Sequence, residues 1–305
     1  MKYSILMLNF NGARLLESTI PHTLLQMKQS RYQGDLVIVD NNSSDDSRKV
    51  FDRFSSHRLK WISCLTNKVL FSYNKAINNS TAEIIILLNN DEWIDSQFIT
   101  VIMDEFNQPD NDRLFCLVPR SLDEHNGQYQ SGLFGLEFKN GHYWVDHNYE
   151  CEKRNQKQTV VVGCLGAYHK SKFIELGGFE PLLYPFYWED VDLSYRASKR
   201  GWLSKYIPDA ITYHSNQATI ARFDKSWINL INRRNKLLFF YLNCNDTEHW
   251  RKHFLRFPAF LAKHLLKGDT SYLKAWFWCI INWAKILRRR SKRMANKCLP
   301  DSALI

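Results

Sequence analysis

Three carboxylates stand within four residues at Glu189, Asp190 and Asp192, directly after an aromatic run that ends at Trp188. Like charges this close repel, and aromatic neighbours exclude the water that would screen them. Aromatic rings beside carboxylates can hold a sugar, and a carboxylate there can take a proton from a hydroxyl nucleophile. The stretch therefore indicates an acid–base site for a hydroxylated substrate. The alternative is that it is only the acidic first turn of a helix.

Two more acids follow apolar runs that are typical of buried strands. Asp40 comes directly after Leu36–Val39, and Asp91 follows Ile84–Leu88 and two asparagines. An acid at a strand end in a nucleotide-binding sheet commonly hydrogen-bonds a ribose or base. An acid beyond a buried strand can also hold a divalent cation that bridges a diphosphate. An Asx turn at Asp40 and a helix N-cap at Asp91 are the structural alternatives.

One histidine and one missing motif narrow the chemistry further. His214 ends the apolar segment "IPDAITYH", where a neutral imidazole is a candidate metal ligand or a structural residue. The first strand is followed by "NFNGAR", which has one glycine instead of G-x-G-x-x-G. That absence argues against a dehydrogenase or a methyltransferase with a glycine-rich first turn.

The elements that must position these residues alternate between strands and helices. The pattern predicts strands in "KYSILMLN", "DLVIVD", "RLKWISCL" and "EIIILLN", with helices over 13–30 and 72–79. It also predicts strands at 115–119 and 132–138, a polar loop over 139–158, and a helix over 191–200 with Asp190 at or near its N-cap. Fully apolar strands that alternate with helices indicate a parallel sheet covered on both faces. Such sheets bind ligands just past the strand ends.

Charge is spread unevenly along the chain. From Arg222 to Ile305 there are 18 Lys/Arg and five Asp/Glu, a net charge of +13, so the preceding residues carry −3 of the total +10. Five of the ten tryptophans also lie in this C-terminal part, which is expected to be helical from about Ser226. A basic, Trp-rich segment suits an anionic membrane surface or a nucleic acid. The seven cysteines form no C-x-x-C pair, which favours reduced thiols in a cytoplasmic protein.

A series of motifs, in order and at matching spacing over about residues 3–240, resembles the family 2 glycosyltransferases. They are "ILMLNFNG", "VIVDNNSSDDS", "NKVLFSYNKAI", "LLNNDEW", "GAYHKSKFIELGGFEP", "WEDVDLSYRASKRGW" and "IPDAITYHS". "RRNKLLFFY" at 233–241 resembles the rhamnosyltransferase-like branch. The resemblance implies the GT-A fold, an α/β architecture with a mixed, mainly parallel sheet, flanking helices and a C-terminal helical extension. The expected catalytic domain is 1–221, with a nucleotide-sugar half (1–91) and an acceptor half (92–221), followed by the extension at 222–305.

The resemblance also implies a donor site. Asn9 and Asn11 would lie in the first nucleotide loop, Asp40 would bind the uracil or thymine and ribose side of the donor, and Asn67 and Asn74 would flank the base pocket.

A metal site and an acceptor site are implied in the same way. Asp91 would be the metal-binding acid of a DxD-like motif, with Mn²⁺ or Mg²⁺ as cofactor and His214 as a further ligand. Asp190 would be the general base, and Glu189, Asp192 and Trp188 would place the acceptor.

Two departures from the family pattern stand out. Asn89 replaces the first Asp of a strict DxD, and Val69-Leu70 replaces the usual Gly-Phe after Asn67, which would narrow the base pocket. Neither departure removes the catalytic acid.

The expected function is an inverting transfer from a UDP- or dTDP-sugar to a glycan or lipid-linked oligosaccharide in cell-surface polysaccharide assembly. The basic segment would hold the enzyme at the inner face of the cell membrane, with no nucleic acid as partner. The alternative is a non-catalytic protein that binds a membrane or a nucleic acid through "RRRSKR" (288–293).

Overall fold

The structure is a computed structural model that describes residues 1–109, 111–146, 161–162, 166–215, 223–295 and 298–304. The strands within these residues are β1 (Tyr3–Asn9), β2 (Gly34–Asp40), β3 (Leu59–Ser63), β4 (Ile84–Asn89), β5 (Glu92–Ile94), β6 (Leu114–Asp123), β7 (Tyr129–Ser131), β8 (Leu133–Lys139), β9 (His142–Asp146), β10 (Val161–Val162), β11 (Ala167–His169) and β12 (Leu203–His214). The helices are α1 (Ala13–Gln29), α2 (Ser47–Phe51), α3 (Tyr73–Asn79), α4 (Phe98–Phe106), α5 (Lys170–Glu175), α6 (Glu189–Lys199), α7 (Lys225–Asn243), α8 (Thr247–Leu265), α9 (Ser271–Ile281) and α10 (Trp283–Met294).

One large sheet carries the strand ends that the sequence singled out. Its strand order is β3-β2-β1-β4-β11-β6-β12-β5, with β7 paired to β6. Strands β1 to β4 are mutually parallel, and β11 runs antiparallel between β4 and β6. Because β12 is parallel to β6, it points the same way as β4. The ends of β1, β2, β4 and β12 therefore meet at one end of a mixed, mainly parallel sheet, which confirms the predicted fold class.

The alternation of side chains along β4 explains why helices cover both faces of this sheet. Ile84, Ile86 and Leu88 belong to one buried cluster together with residues of α1 and α4. Ile85 and Leu87 belong to the other cluster, with residues of α3, α6 and α7. Successive side chains of a strand point to opposite faces, so a fully apolar strand needs a packed layer on each side.

The C-terminal helices share the second cluster with the catalytic part of the chain. Leu237–Leu242 of α7 are buried in the same cluster as Leu193 and Tyr195 of α6, and Cys279 and Ile286 extend it to α9 and α10. The predicted domain boundary at 221 falls in 216–222, outside the described residues. Among the helices of the described segments, none is both long and apolar enough to cross a bilayer.

A small second sheet contains the strand predicted at 132–138 and one strand, β9, in a segment that the pattern assigned to a loop. Strand β9 pairs antiparallel with β8 through Lys139 and His142, and β10 pairs with the other side of β8. The loop prediction for 139–158 is therefore wrong for 142–146, and 147–158 lie outside the described residues. A sequence signal was present, since Asn140 and Gly141 both have positive φ, as a two-residue Asn-Gly hairpin requires.

Two helix starts also differ from the sequence predictions. Helix α6 begins at Glu189, with Trp188 as its N-cap residue, so Asp190 lies in the first turn instead of at the cap. Asp91 caps no helix, because it is followed by the short strand β5 and α4 begins only at Phe98.

Candidate active site

Polar side chains join the ends of β1, β2 and β4. Asn9 is fully buried, and its Nδ2 donates to Asp40 Oδ1 at 3.0 Å and to Ser43 Oγ at 3.1 Å. Its Oδ1 accepts from Asn90 Nδ2 at 2.7 Å. Ser43 also donates to Asp40 from its backbone nitrogen (3.1 Å) and its hydroxyl (2.5 Å). Asn9 and Asp40, both predicted to bind the nucleotide sugar, are thus in direct contact, and Asn90, the residue before Asp91, links them to the segment that follows β4.

The single glycine of the first loop allows this contact. A Cβ at Gly12 would lie 2.0 Å from Asn90 Nδ2 and 2.6 Å from Asn9 Oδ1, so any other residue would push the two asparagines apart. Asn11 precedes it with a φ of 49°, and its Oδ1 accepts from Ser44 N at 2.8 Å. The first loop is therefore bonded to the "NNSS" turn after β2.

Asp91 and His214 face each other at the ends of β4 and β12. His214 Nε2 lies 3.4 Å from Asp91 Oδ2, and its Nδ1 lies 3.1 Å from Gln130 Oε1. Gln130 Nε2 donates to Asp123 Oδ2 at 2.8 Å, which orients the amide so that its oxygen faces the imidazole. When Nδ1–H donates to that oxygen, Nε2 carries a lone pair that points at a carboxylate oxygen.

Two facing lone pairs repel unless a cation or a proton lies between them. A carboxylate and a neutral imidazole are both ligands that Mn²⁺ accepts, and Mg²⁺ needs only one or two protein carboxylates. Asp91 and His214 therefore fit the expected divalent ion.

Glu92 lies beside this pair and was not singled out from the sequence. Its side chain is buried, its Oε2 accepts from Asn89 N at 2.8 Å, and its Oε1 has no hydrogen-bond partner among the described residues. Burial raises the pKa of Glu92 to about 8. The "NDEW" sequence places two acids in succession, which was a usable signal for a second carboxyl group here.

Asn67 and Asn74 line a groove of about 670 Å³ that runs from Cys64 past the 3₁₀ turn Val69–Ser72 to Tyr184. Asn67 Oδ1 accepts from Val69 N at 2.8 Å. Asn74 brackets the backbone of Phe179, donating to its oxygen and accepting from its nitrogen, both at 2.9 Å. Both asparagines thus shape the groove through hydrogen bonds to backbone.

The chain accommodates Val69, which departs from the family pattern, in a backbone conformation that suits glycine. Its φ is 52°, a left-handed conformation that a β-branched residue adopts at a cost of about 1–2 kcal/mol. Asn41 Nδ2 donates to Val69 O at 3.0 Å, and Ser72 Oγ donates to Asn41 Oδ1, so the turn is held from the end of β2. The backbone still takes the shape that glycine adopts without cost.

The aromatic run before the acids is held in an unusual shape by α7. Tyr187 and Trp188 have φ values of 71° and 72°, two left-handed residues in succession. Asn235 is fully buried, and its Nδ2 lies 2.6 Å from Leu183 O, 2.9 Å from Phe186 O and 2.9 Å from Tyr187 O. The side-chain amide of Asn235 thus binds carbonyl groups that backbone N–H groups would bind in a regular helix or strand.

Glu189 and Asp190 line a cavity of about 410 Å³, here called the acceptor cavity. Its walls come from β8 and β9 (Phe134, Trp144, Val145), residues 187–191, α7 (Asn229, Asn232, Arg233, Lys236) and α9 (Tyr272). Trp188 is mostly buried there, and its Nε1 donates to Asn232 Oδ1 at 2.8 Å. The structure therefore brings three of the four predicted acceptor-side residues to one cavity.

The two acids in this cavity differ in environment. Glu189 is buried, one of its oxygens has no partner among the described residues, and burial followed by the charge of Asp190 raises its pKa well above the usual value. Asp190 is partly exposed, and its Oδ1 accepts from Val191 N at 2.7 Å in the first helical turn. A helix start favours the charged form of Asp190.

Asp192 lies away from the acceptor cavity. Its carboxylate is 0% exposed and accepts from Arg196 Nε at 2.8 Å, Asn243 Nδ2 at 2.8 Å and Arg293 Nη1 at 2.6 Å. The charges of Arg196 and Arg293 outweigh burial and hold the pKa of Asp192 below its usual value. The third acid therefore joins α6 to α7 and α10.

A second group of metal-ligand types occurs in the C-terminal part. Cys244, His249 and Asp301 place ligand atoms within 4.8 Å of one another. Asp301 already accepts from Tyr195 OH at 2.5 Å and pairs with Lys199 Nζ at 2.7 Å, and burial raises the pKa of the Cys244 thiol to about 12. A protonated thiol beside a paired carboxylate makes a poor metal ligand.

The mixed, mainly parallel sheet, which carries the polar row and the acid–imidazole pair at its strand ends, has the GT-A architecture of its structural neighbours. The chain belongs to glycosyltransferase family 2, because the model "Glycosyl transferase family 2" matches residues 4–177. This membership confirms the resemblance drawn from the motifs, and it favours an enzyme over a non-catalytic binding protein.

Similar proteins agree with that assignment. N-acetylglucosaminyl-diphospho-decaprenol L-rhamnosyltransferase of Mycobacterium tuberculosis is 24% identical over 262 residues, 76% of this chain and 82% of the relative. S. aureus TarS 1–349, solved with UDP-GlcNAc, has a TM-score of 0.56 at 15% identity and covers 90% of this chain and 79% of its own. GalNAc-T7, solved with UDP, GalNAc and Mn²⁺, has a TM-score of 0.63 at 14% identity. That match covers 81% of this chain, which spans about half (48%) of GalNAc-T7.

Replacing Asn235 by leucine should destabilise the protein and slow its turnover. The change keeps the side-chain volume but leaves the carbonyls of Leu183, Phe186 and Tyr187 without this donor, a loss of about 2–4 kcal/mol. Urea unfolding measures the stability, and Asn229→Leu, an exposed change on the same helix, should stay within about 0.5 kcal/mol of wild type. Unchanged stability and turnover in Asn235→Leu would show that the loop holds its shape without this amide.

Proposed function

We propose that the protein is an inverting glycosyltransferase that moves a sugar from a UDP- or dTDP-linked donor to a hydroxyl of a lipid-linked saccharide. The observation that carries the proposal is the continuous row from Asp40 through Asn9 and Asn90 to Asp91 and His214. The relative's name, with its diphospho-decaprenol acceptor, supports a lipid-linked substrate. The pathway would be assembly of a cell-surface polysaccharide such as lipopolysaccharide, O antigen or capsule.

The donor would bind along this row. Asp40, held by Asn9 and Ser43, would accept hydrogen bonds from the pyrimidine and ribose, and Asn11 would lie over the same loop. Asn67 and Asn74 would bound the base in the groove behind the 3₁₀ turn. Because these side chains are already bonded to one another or to backbone, little rotamer entropy is lost when the nucleotide binds.

Asp91 and His214 would hold the divalent cation. When bound there, Mn²⁺ or Mg²⁺ would neutralise the charge that develops on the leaving diphosphate. Gln130 would keep the imidazole in the tautomer whose Nε2 presents a lone pair to the cation.

Asp190 would act as the general base on the acceptor side. Its carboxylate would take the proton of the acceptor hydroxyl while that oxygen bonds to the anomeric carbon and the bond from this carbon to the diphosphate oxygen breaks. A single displacement of this kind inverts the anomeric centre.

The residues around Asp190 would place the acceptor. Glu189, neutral because of its raised pKa, would donate a hydrogen bond to a sugar hydroxyl, and Trp188 would provide part of an apolar wall. Asp192, predicted from the sequence to help here, would act indirectly by fixing the first turn of α6 through Arg293.

Replacing Asp91 by alanine should abolish metal-dependent transfer and weaken nucleotide binding. The change removes the only carboxylate that we assign to the cation. Calorimetry with UDP in Mn²⁺ and in chelator tests the idea: wild type should gain affinity from Mn²⁺, and the variant should not. Asp52→Ala on α2 is the surface control. Equal activity of wild type in Mn²⁺ and in excess chelator would contradict the proposal.

Replacing Asp190 by asparagine should lower turnover by roughly 10²–10⁴-fold, the usual contribution of a general base. The amide oxygen can still accept from Val191 N, so the fold and the affinity for UDP should persist. Asp209→Asn, an exposed change on β12, is the control. Wild-type turnover in Asp190→Asn together with an inactive Glu189→Gln would assign the base to Glu189 instead.

We propose in addition that the C-terminal helices bind an anionic membrane surface at its cytoplasmic face. Phe277 (58%) and Ile281 (74%) of α9 are exposed, and so are Leu266 after α8 and Leu287 of α10. Trp276 and Trp278, two of the five tryptophans in this part of the chain, pack partly buried against the core. The apolar contact would therefore come from the outward side chains of these helices.

Their charge is smaller than the sequence suggests. Of the basic residues in 288–293, Arg290 donates to Tyr241 O at 3.1 Å, and Arg293 binds Asp192 and Glu180. Arg288 and Lys292 remain exposed, with about 1 kcal/mol each near an anionic leaflet.

The double change Phe277→Ser with Ile281→Ser should weaken binding to anionic vesicles by roughly tenfold or more, since each apolar side chain contributes about 1.5–3 kcal/mol when fully buried. Co-sedimentation with phosphatidylglycerol vesicles at low and high salt measures this, and Leu25→Ser on α1 is the control for an exposed apolar residue. Failure of the wild type to sediment at low salt would contradict the proposal.

A further inference from the structure

The acceptor cavity contains a buried amine that neither the chemistry above nor the fold uses. Lys236 is 6% exposed, and among the described residues it has no hydrogen bond or ion pair. Its Nζ lies over the ring of Trp144, 2.8 Å from the ring centre. Burying an ammonium group without an anionic partner costs free energy, so the position of Lys236 indicates a function.

The other charged and titratable groups around the cavity do not neutralise Lys236. From α7, Arg233 adds positive charge, although it binds Asp269 and Ser271. From 187–190 come Tyr187, Glu189 and Asp190, and from α9 comes Tyr272, but none of these makes a hydrogen bond to Lys236 in the described part of the chain. The cavity thus has an unpaired amine at one wall and the candidate base at another.

This environment determines the protonation state of the Lys236 amine. Burial, and then the charge of Arg233, lowers the pKa of Lys236 to about 6, so the amine is mostly neutral at pH 7.5 while the cavity is empty. An anion beside it would favour the charged form and raise that pKa. Binding of such an anion should therefore be accompanied by proton uptake.

We propose that Lys236 is the anion contact of the acceptor cavity and that the acceptor presents a phosphate or diphosphate group to it. This inference rests on the proposed function, because it takes the cavity beside Asp190 as the acceptor site. The sugar would lie against Trp188 and Glu189 with its reacting hydroxyl at Asp190. The phosphate would lie between Nζ of Lys236 and the guanidinium of Arg233, at the end of the cavity bounded by α7. Lys236 is a specificity-determining residue in this arrangement.

The first test measures binding without any transfer. Inorganic pyrophosphate is titrated calorimetrically into the full chain at pH 7.5 in chelator, which suppresses metal-dependent binding at Asp91. Wild type should bind, and Lys236→Gln should bind roughly 10- to 100-fold more weakly, the usual loss of a charge-assisted hydrogen bond. Lys252→Gln on α8 removes one exposed charge and should bind like wild type. Equal affinity in Lys236→Gln would overturn the inference.

Proton uptake gives a second readout that does not depend on a folded variant. Titrations in two buffers of different ionisation enthalpy should show that wild type takes up protons when pyrophosphate binds. Pyrophosphate itself should release protons when it binds, because a positively charged site favours the more deprotonated form of the ligand. Sulfate, which does not titrate near pH 7.5, removes the ligand's own contribution, and binding of sulfate to wild type without proton uptake would overturn the inference even if Lys236→Gln failed to fold.

Transfer assays separate this inference from the proposed function. The acceptors are decyl-diphosphate-linked N-acetylglucosamine and decyl N-acetylglucosaminide, which differ only in the diphosphate. Preference for the first in wild type, lost in Lys236→Gln, supports the inference. Equal use of both by wild type and variant overturns it while the glycosyltransferase stands. Lys236-dependent pyrophosphate binding without transfer to any acceptor would instead overturn the proposed function.

Free and lipid-linked phosphates are distinguished by decyl diphosphate. Tighter binding of this compound than of pyrophosphate, in wild type, supports a lipid-linked ligand. Equal binding overturns the lipid-linked form of the inference.

Discussion

The buried carboxylate of Asp192 is the contact on which the acceptor side of the molecule depends. It joins α6 to Asn243 of α7 and to Arg293 of α10, while Arg196 carries the connection on to the carbonyls of Leu176 and Gly178. Removing one partner from such a group leaves a buried charge uncompensated, at a cost of about 3–5 kcal/mol. Asp192 lies two residues after Asp190 in the same helical turn, so the hydrogen bonds that attach the C-terminal helices also fix the direction of the first turn of α6.

This contact changes how the chain should be divided. Composition separates an acidic first part from a basic second part, and the motifs end near residue 240. The packing instead makes α7 a wall of the acceptor cavity and the support of the loop at 183–188. Asn232, Asn235 and Lys236 all act from one face of that helix. The segment "RRNKLLFFY" therefore contributes to the wall of the acceptor cavity and is not the start of an appendage.

The parts of the site that the sequence could predict are those where a local pattern determines the position. Asn9, Asp40 and Asp91 follow apolar runs, and parallel strands bring their ends together, so the donor row follows from the strand pattern. Asp192 could not be separated from Asp190 in this way, because its partner Arg293 lies 101 residues later. Gln130 is equally hidden, since it reaches His214 across 84 residues from a short strand with no motif. The Asn140-Gly141 hairpin, by contrast, has a local sequence signal, although the prediction for this segment is a loop.

Net charge overestimates how strongly the C-terminal part of the chain would attract an anionic membrane. Several of the basic residues after 222 are bound within the fold: Arg233 by Asp269, Arg290 by a carbonyl and Arg293 by two carboxylates. A formal charge of +13 therefore does not measure the field that a membrane would meet. Among the described residues, the basic side chains that a membrane can meet include the exposed Arg256, Lys263, Lys267, Arg288 and Lys292, whereas a substrate in the acceptor cavity can meet Lys236. A lysine without a partner inside a cavity is the more specific indication of a ligand. Water stabilises the charged form of an exposed lysine, whereas a buried lysine becomes charged only when a ligand stabilises that form.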